Sequence, residues 1–308
     1  MALIESKPAF KQRCVQFGTP EAEVRLLDTG GQATFGAFAF IIPFANKDSA
    51  DADDKLKAGV EELLGTAPTS IQLARYRRLL FESHAVVMTD AKCRMDRTEE
   101  TVPRKLPAPE RSQRHREQSN KYPGISISGW NEPSHSLLDE CQSQLEEHTL
   151  RFIPLEKCTC RMQELDGVKK IKEAKEDSSG FLKISSSDQS PTFDHQGDMF
   201  KIRQAFLRRA LAYDSCGICS FPVSEAWANK LFDTMQRDPP PMFLPVSLWQ
   251  VMDADKQLFA RLAEKCRDGL GPSAAGILPV EQAIRDLMVD VHLNQYLVHL
   301  PKGAEVRR

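Results

Sequence analysis

The sequence is short of several features that carry chemistry in other chains. Cysteine is sparse: eight in 308 residues, at positions 14, 93, 141, 158, 160, 216, 219 and 266. That density excludes a disulfide-stapled secreted scaffold and fits free thiols in a reducing compartment. An excess of one charge is also missing, since 41 Lys and Arg against 43 Asp and Glu leave a net charge of −2. A uniformly basic protein that coats nucleic acid is thereby excluded, although a local basic patch is not. Long apolar runs are absent too. The longest, roughly Ala33 to Ala45, is interrupted by Pro43. Because about 20 residues are needed to span a bilayer, it reads as a buried helix. Glu5, Lys7, Lys11 and Arg13 leave no room for the apolar core of a signal peptide. The expected location is intracellular, in cytoplasm or nucleus. No Walker loop, G-x-G-x-x-G or G-x-S-x-G occurs, and the seven histidines are scattered.

What the chain does have is helical periodicity. Val280, Ala283, Ile284, Leu287, Met288 and Val291 follow the i, i+3, i+4, i+7, i+8, i+11 pattern of a one-faced helix. Leu248, Val251, Met252, Leu258, Phe259 and Leu262 form a second stripe. Upstream, helices are expected over about 4–17, 20–28, 34–42, 52–64 and from Thr69 onward. The last is marked by Leu73, Tyr76, Leu80 and Val87. Proline, glycine and small capping residues punctuate them. Further helices are expected from Pro133, over 154–165, from Asp198, and along Val223, Trp227, Leu231 and Met235. Residues 167–192 are the weakest stretch. Phe181 to Ile184 could pair as a strand, but the segment reads better as loop.

The reading is an all-α fold: a five-helix bundle at 1–95, a Pro-containing basic linker at 96–132, a larger helical domain at 133–300 and a frayed tail at 301–308. The linker holds Pro103, Pro107 and Pro109 beside Arg111, Arg114, His115 and Arg116, so it is expected to be protease-sensitive.

Candidate sites are few. Cys158-x-Cys160 and Cys216-x-x-Cys219 could supply four thiolates to zinc, with His195 as a substitute. The spacing counts against it, because i, i+2 side chains on a helix diverge by roughly 200°. As a redox motif, Cys216 to Cys219 would need a helix N-terminus at the first thiol. Here it follows the end of the helix beginning at Asp198, where the dipole opposes a thiolate. Basic residues are the other lead. Arg75, Arg77 and Arg78 flank Tyr76 on one helix, and Arg104, Lys105, Arg111, Arg114 and Arg116 line the linker. Cations at such density can contact phosphates. Lys201, Arg203, Arg208 and Arg209 dot another helix, and for all three groups the alternative is a solvated helix face balanced by nearby Glu and Asp. Leu27 to Gly36 loosely resembles a helix-hairpin-helix phosphate grip, but an apolar residue is usual where Gln32 stands.

Seven segments are similar, in the same order, to an uncharacterised family that is highly repeated in dinoflagellate genomes. They are Lys7-Pro-Ala-Phe-Lys-Gln-Arg-Cys14, Thr34-Phe-Gly36, Arg77-Arg-Leu-Leu-Phe-Glu82, Lys105-Leu-Pro-Ala-Pro-Glu-Arg111, Glu132-Pro-Ser-His-Ser136, Gln163-Glu-Leu-Asp-Gly-Val-Lys-Lys170 and Arg208-Arg-Ala-Leu-Ala-Tyr213. Some members of that family sit beside retroelement-like coding regions. The resemblance implies a structural or nucleic-acid-associated role and carries over no catalytic residue.

The functional expectation is a non-enzymatic interaction or scaffold protein with no cofactor. Its partner is a protein, a second copy, or RNA or DNA held through the basic patches. The alternative is a zinc- or thiol-dependent activity of the four cysteines.

Overall fold

Small polar side chains and proline begin the helices, and glycine ends several of them. A computed structural model describes residues 3–42, 51–95, 105–167, 171–176, 182–187, 198–273 and 275–303. The fold is all-α apart from one short hairpin. In chain order the helices are α1 (Lys7–Gln16), α2 (Glu21–Thr29), α3 (Phe35–Ala39), α4 (Ala52–Leu64), α5 (Ser70–Met95), α6 (Ala108–Lys121), α7 (His135–Glu146), α8 (Arg161–Gly167), α9 (Met199–Cys216), α10 (Phe221–Gln236), α11 (Leu248–Lys265), α12 (Pro279–Met288) and α13 (Val291–Asn294). Ser6, Thr34, Ser134, Asp198, Ser247 and Asp290 each cap a first turn through the side-chain oxygen. Ser247 and Gln250 make a full capping box. Gly65 and Gly217 close α4 and α9 in the left-handed region, at φ of 70° and 72°, where a side chain would add strain. Among the described residues, no helix is long and apolar enough to cross a membrane.

The chain divides into two compact units, Met1–Glu117 and Gln118–Arg308, with the division falling inside α6. The first unit is built on one core drawn from α1 to α5, with Phe10, Leu27, Phe38, Leu56 and Tyr76 at its centre. The rings of Phe10 and Phe35 meet edge to face at 5.3 Å. The second unit is built on a larger core that includes Leu137, Ile202, Leu231, Val251, Leu258, Ile284 and Leu293.

Several expectations need correction. The loop expected over 167–192 contains an antiparallel hairpin: β1 (Ile171–Glu176) pairs with β2 (Leu182–Ser187), Ile171 opposite Ser187. No period-2 pattern in Ile171–Glu176 announces it. The helix expected over 154–165 is a 3-10 turn at Leu155–Lys157 followed by α8, so Cys158 and Cys160 lie outside any α-helix. The 280–291 stripe breaks after Met288, because Asp290 starts α13 by accepting from the Leu293 amide. Val291 is left exposed. Most consequential, Arg208 and Arg209 are not on a solvated face: both guanidiniums are buried.

Candidate functional site

In the first unit the long helix α5 positions the surface that stands out. Its start is fixed by Thr69 and Gln72: the Thr69 amide donates to Gln72 Oε1 at 2.8 Å, and the Gln72 amide donates to Thr69 Oγ1 at 3.3 Å. One face of α5 is core. Tyr76, Leu79 and Leu80 are buried, and the Tyr76 hydroxyl donates to Glu23 Oε2 at 2.7 Å. Burial, reinforced by Glu23, pushes that phenol far above its ordinary range.

A second stripe runs along the solvent side of α5. Ile71, Ala74, Phe81, Ala85, Met88 and Met95 are all exposed, and with Arg78 and Lys92 they complete an alternating three- and four-residue spacing. That is the a/d spacing of a helix made to pack on another helix. Ile71 is 66% exposed and Phe81 75%, which is uncommon for large apolar side chains on one seam.

The N-terminal end of the stripe is concave. Gln16, Phe17, Ser70, Ile71, Ala74, Arg75 and Arg78 line a groove of about 480 Å3. The guanidiniums of Arg13 and Arg78 lie over the Phe17 ring, at 4.6 and 4.4 Å from its centre. Arg13 is forked onto Glu82, with Nε–Oε2 and Nη2–Oε1 both 2.6 Å. That contact holds the Glu82 carboxyl below its usual range.

The predicted basic residues fall into different roles. Arg75 lines the groove. Arg77 is forked onto Asp53 at 2.8 and 2.7 Å, and Arg78 stacks on Phe17. Arg104 lies outside the described residues, and Lys105 is exposed just before α6. Arg111 and Arg114 are half-buried on α6, with Arg114 Nε 2.9 Å from Glu110 Oε1, while Arg116 is exposed. The structure gathers Arg75, Arg77 and Arg78 on the first turns of α5 and places Arg111, Arg114 and Arg116 on another helix. At the Leu27–Gly36 turn, the Glu5 carboxylate already lies against Gly36 in the first turn of α3.

In the second unit the four predicted thiols are all buried. Each has a hydrogen-bond partner. Cys158 Sγ donates to the Pro154 carbonyl at 3.5 Å and Cys216 Sγ to the Leu138 carbonyl at 3.6 Å. Cys160 Sγ accepts from the Gln163 amide at 3.4 Å, and Cys219 Sγ accepts from Ser224 Oγ at 3.3 Å. Among the described residues no group of three or more His, Cys, Asp or Glu could hold a metal ion. Burial pushes the thiols of Cys158 and Cys219 up to about 12. Sequence reasoning passed over Cys141, which contacts Cys216 in the core.

Of two polar centres in this unit, the sequence marks Asp255 as a buried hydrogen-bonding residue but names no partner for it, and Asp214 was passed over. Arg209 is forked onto Asp255, and Trp227 Nε1 donates to the same carboxylate at 3.0 Å. Asp214 collects Gln118 Nε2, Lys121 Nζ, the Tyr122 hydroxyl and the Phe221 amide at 2.9, 2.8, 2.8 and 3.2 Å. Asp255 carried a sequence signal as the polar residue inside an apolar stripe. Asp214 carried none.

The chain matches no protein-family model, no curated protein and no solved structure.

Proposed function

We propose that this chain is a non-enzymatic interaction and scaffold protein whose working surface is the exposed stripe of α5. The occupant we propose is an amphipathic helix of a protein partner, apolar on one face and acidic on its flanks. The observation that carries this reading is the a/d-spaced run Ile71, Ala74, Phe81, Ala85, Met88 and Met95 on the solvent side of a 26-residue helix. A helix laid into such a surface buries anchors at i, i+3, i+4 and i+7. Charge selects the acidic flank. Arg75 and Arg78 border the groove end, and the neighbouring carboxylates Glu82 and Asp53 are already held by Arg13 and Arg77.

The nucleic-acid version of the scaffold reading draws less support. Arg77 and Arg114 are engaged in intramolecular ion pairs. An apolar seam, in addition, has no role in phosphate contact. The alternative of a zinc-dependent activity finds no ligand set, since among the described residues no group of three or more His, Cys, Asp or Glu could hold a metal ion, and a thiol-dependent one needs thiolates, whereas burial pushes Cys158 and Cys219 up to about 12.

The test uses the full chain with two designed helical peptides, Leu at the seam positions and either Glu or Lys on the flanks. Binding of the Glu peptide that survives 200 mM salt and is lost in Phe81→Glu supports the proposal. Circular dichroism checks that this exposed substitution leaves the fold intact. Failure of both peptides overturns the helix-docking surface. Binding of RNA or DNA that falls by orders of magnitude between about 50 and 200 mM salt would install the nucleic-acid version instead.

A further inference from the structure

Trp130, Gln163, Asp198, Phe200, Lys201, Gln204 and Arg208 line an open pocket of about 400 Å3 in the second unit. We infer that this pocket binds a small planar organic anion: an aromatic ring bearing one carboxylate or phosphate group. It is a separate site from the α5 surface and does not depend on that reading.

The pocket has the size and composition of a small-molecule site, with apolar walls and a few converging polar groups. One wall is α9. Phe200, Gln204 and Arg208 recur at i, i+4 and i+8, so they share a face, with Lys201 beside the first. The facing wall comes from the 3-10 turn Gly129–Asn131, which supplies Trp130, and from α8, which supplies Gln163. Trp130 is 54% exposed and Phe200 69%. Aromatic side chains left in solvent on both walls of one cavity offer a flat ligand two apolar surfaces.

The charge lies deeper. Arg208 is 1% exposed, and its guanidinium is fixed by two carbonyls: Nε donates to Cys158 at 2.6 Å and Nη1 to Trp130 at 2.9 Å. A guanidinium held in one orientation beside a cavity suits a planar carboxylate or a phosphate, because less freedom is lost when the anion arrives. Asp198 is the one carboxylate in the lining, and its Oδ1 is turned to the Phe200 amide as the cap of α9, at 2.9 Å. Two cations against that carboxylate leave the lining net positive. It contains no serine, cysteine or histidine, so the arrangement reads as recognition rather than nucleophilic chemistry.

Ligand-observed NMR on the full chain tests this with benzoate and phenyl phosphate as probes, benzyl alcohol as a control and inorganic phosphate as a competitor. The expected result is saturation transfer to one or both aryl anions, little to benzyl alcohol, and no displacement of the aryl anion by an equal concentration of inorganic phosphate. Comparing benzoate with phenyl phosphate then identifies the head group. Lys201→Ala and Phe200→Ala change exposed or half-exposed side chains, so the fold is retained. Each is expected to weaken binding by about tenfold, as removal of one charge-assisted or stacking contact does. Arg208→Lys should weaken it further, because an ammonium cannot reproduce the two carbonyl contacts that orient the charge. Four results would overturn the proposal: equal binding of benzyl alcohol, displacement of the aryl anion by an equal concentration of inorganic phosphate, binding unchanged in both exposed variants, or no binding by either aryl anion.

Discussion

Arg209 and Asp255 form a bidentate ion pair inside the second unit, with Nη1–Oδ2 2.8 Å and Nη2–Oδ1 2.7 Å and almost no solvent contact for either side chain. Burial would push the guanidinium down, but the facing carboxylate outweighs it and raises it above its ordinary range. The rings of Phe206 and Phe259 stand 4.9 and 4.7 Å from the guanidinium carbon, completing an apolar shell around the charge. Removing one partner leaves the other charge buried. Arg209→Met is therefore expected to destabilise by about 3–5 kcal/mol, read as a shift in the urea midpoint. Arg209→Met with Asp255→Leu should recover part of that loss. A single variant within about 1 kcal/mol of the parent would mean that Asp255 finds water in solution.

Asp214 predicts the acid limb of stability. Burial acts to raise its carboxyl, but hydrogen bonds from Lys121, Gln118, Tyr122 and the Phe221 amide outweigh it and hold the carboxyl below its ordinary range. Glu164 is lowered in the same way, by the His135 amide, Arg161 and the Ser136 amide acting against burial. A carboxyl lowered by folding stabilises the fold above its unfolded pKa, about 3.9 for Asp and 4.3 for Glu. That stability is lost as pH falls through the folded value. Asp214→Asn should thus be less stable than the parent at pH 7, and the gap should close as pH drops below about 4. Denaturant titrations at pH 7 and pH 3 measure this, and a constant gap between them would contradict it.

Thiol accessibility gives a third expectation. Burial pushes Cys14, Cys158 and Cys219 up to about 12. At pH 8 almost none of any of them is thiolate, and each lies inside a core. Alkylation of the native chain should therefore be slow at these positions and should accelerate in denaturant, following opening of the fold. Site-resolved mass spectrometry reads the rates. Rapid labelling of native Cys219 would refute its placement and revive a role for the Cys216 to Cys219 motif.

Limited trypsin digestion separates the cations around α6. Lys105 is exposed and precedes the helix, whereas Arg111 and Arg114 are half-buried within it and Arg114 is paired with Glu110. A protease needs several residues of extended backbone, which a helix denies until it opens. Cleavage after Lys105 should precede cleavage after Arg111 or Arg114. Early cuts at Arg114 would show that α6 opens readily.

The sequence by itself determined where most helices begin and end, because those choices are local. Asp198 ahead of α9, Ser247 with Gln250 at α11, Gly65 after α4 and Gly217 after α9 each act on backbone groups within a few residues. It also determined the all-α class through the 3.6-residue period. On α5 the stripe read from the sequence, Leu73, Tyr76 and Leu80, does face the core. What was not legible was the second apolar stripe, Ile71, Phe81 and Met88, which the packing of α1 to α4 leaves exposed. The partners inside the buried polar centres were out of reach. Arg209 and Asp255 are 46 residues apart, and Gln118 and Asp214 are 96 apart. No local pattern pairs a surface-type residue with a partner that the tertiary fold alone brings within 3 Å. The same holds for Arg208, whose guanidinium is held by carbonyls that precede it by 50 and 78 residues. A helical period marks a charged position as solvent-facing by default, and long-range packing reversed that default for Arg208 and Arg209.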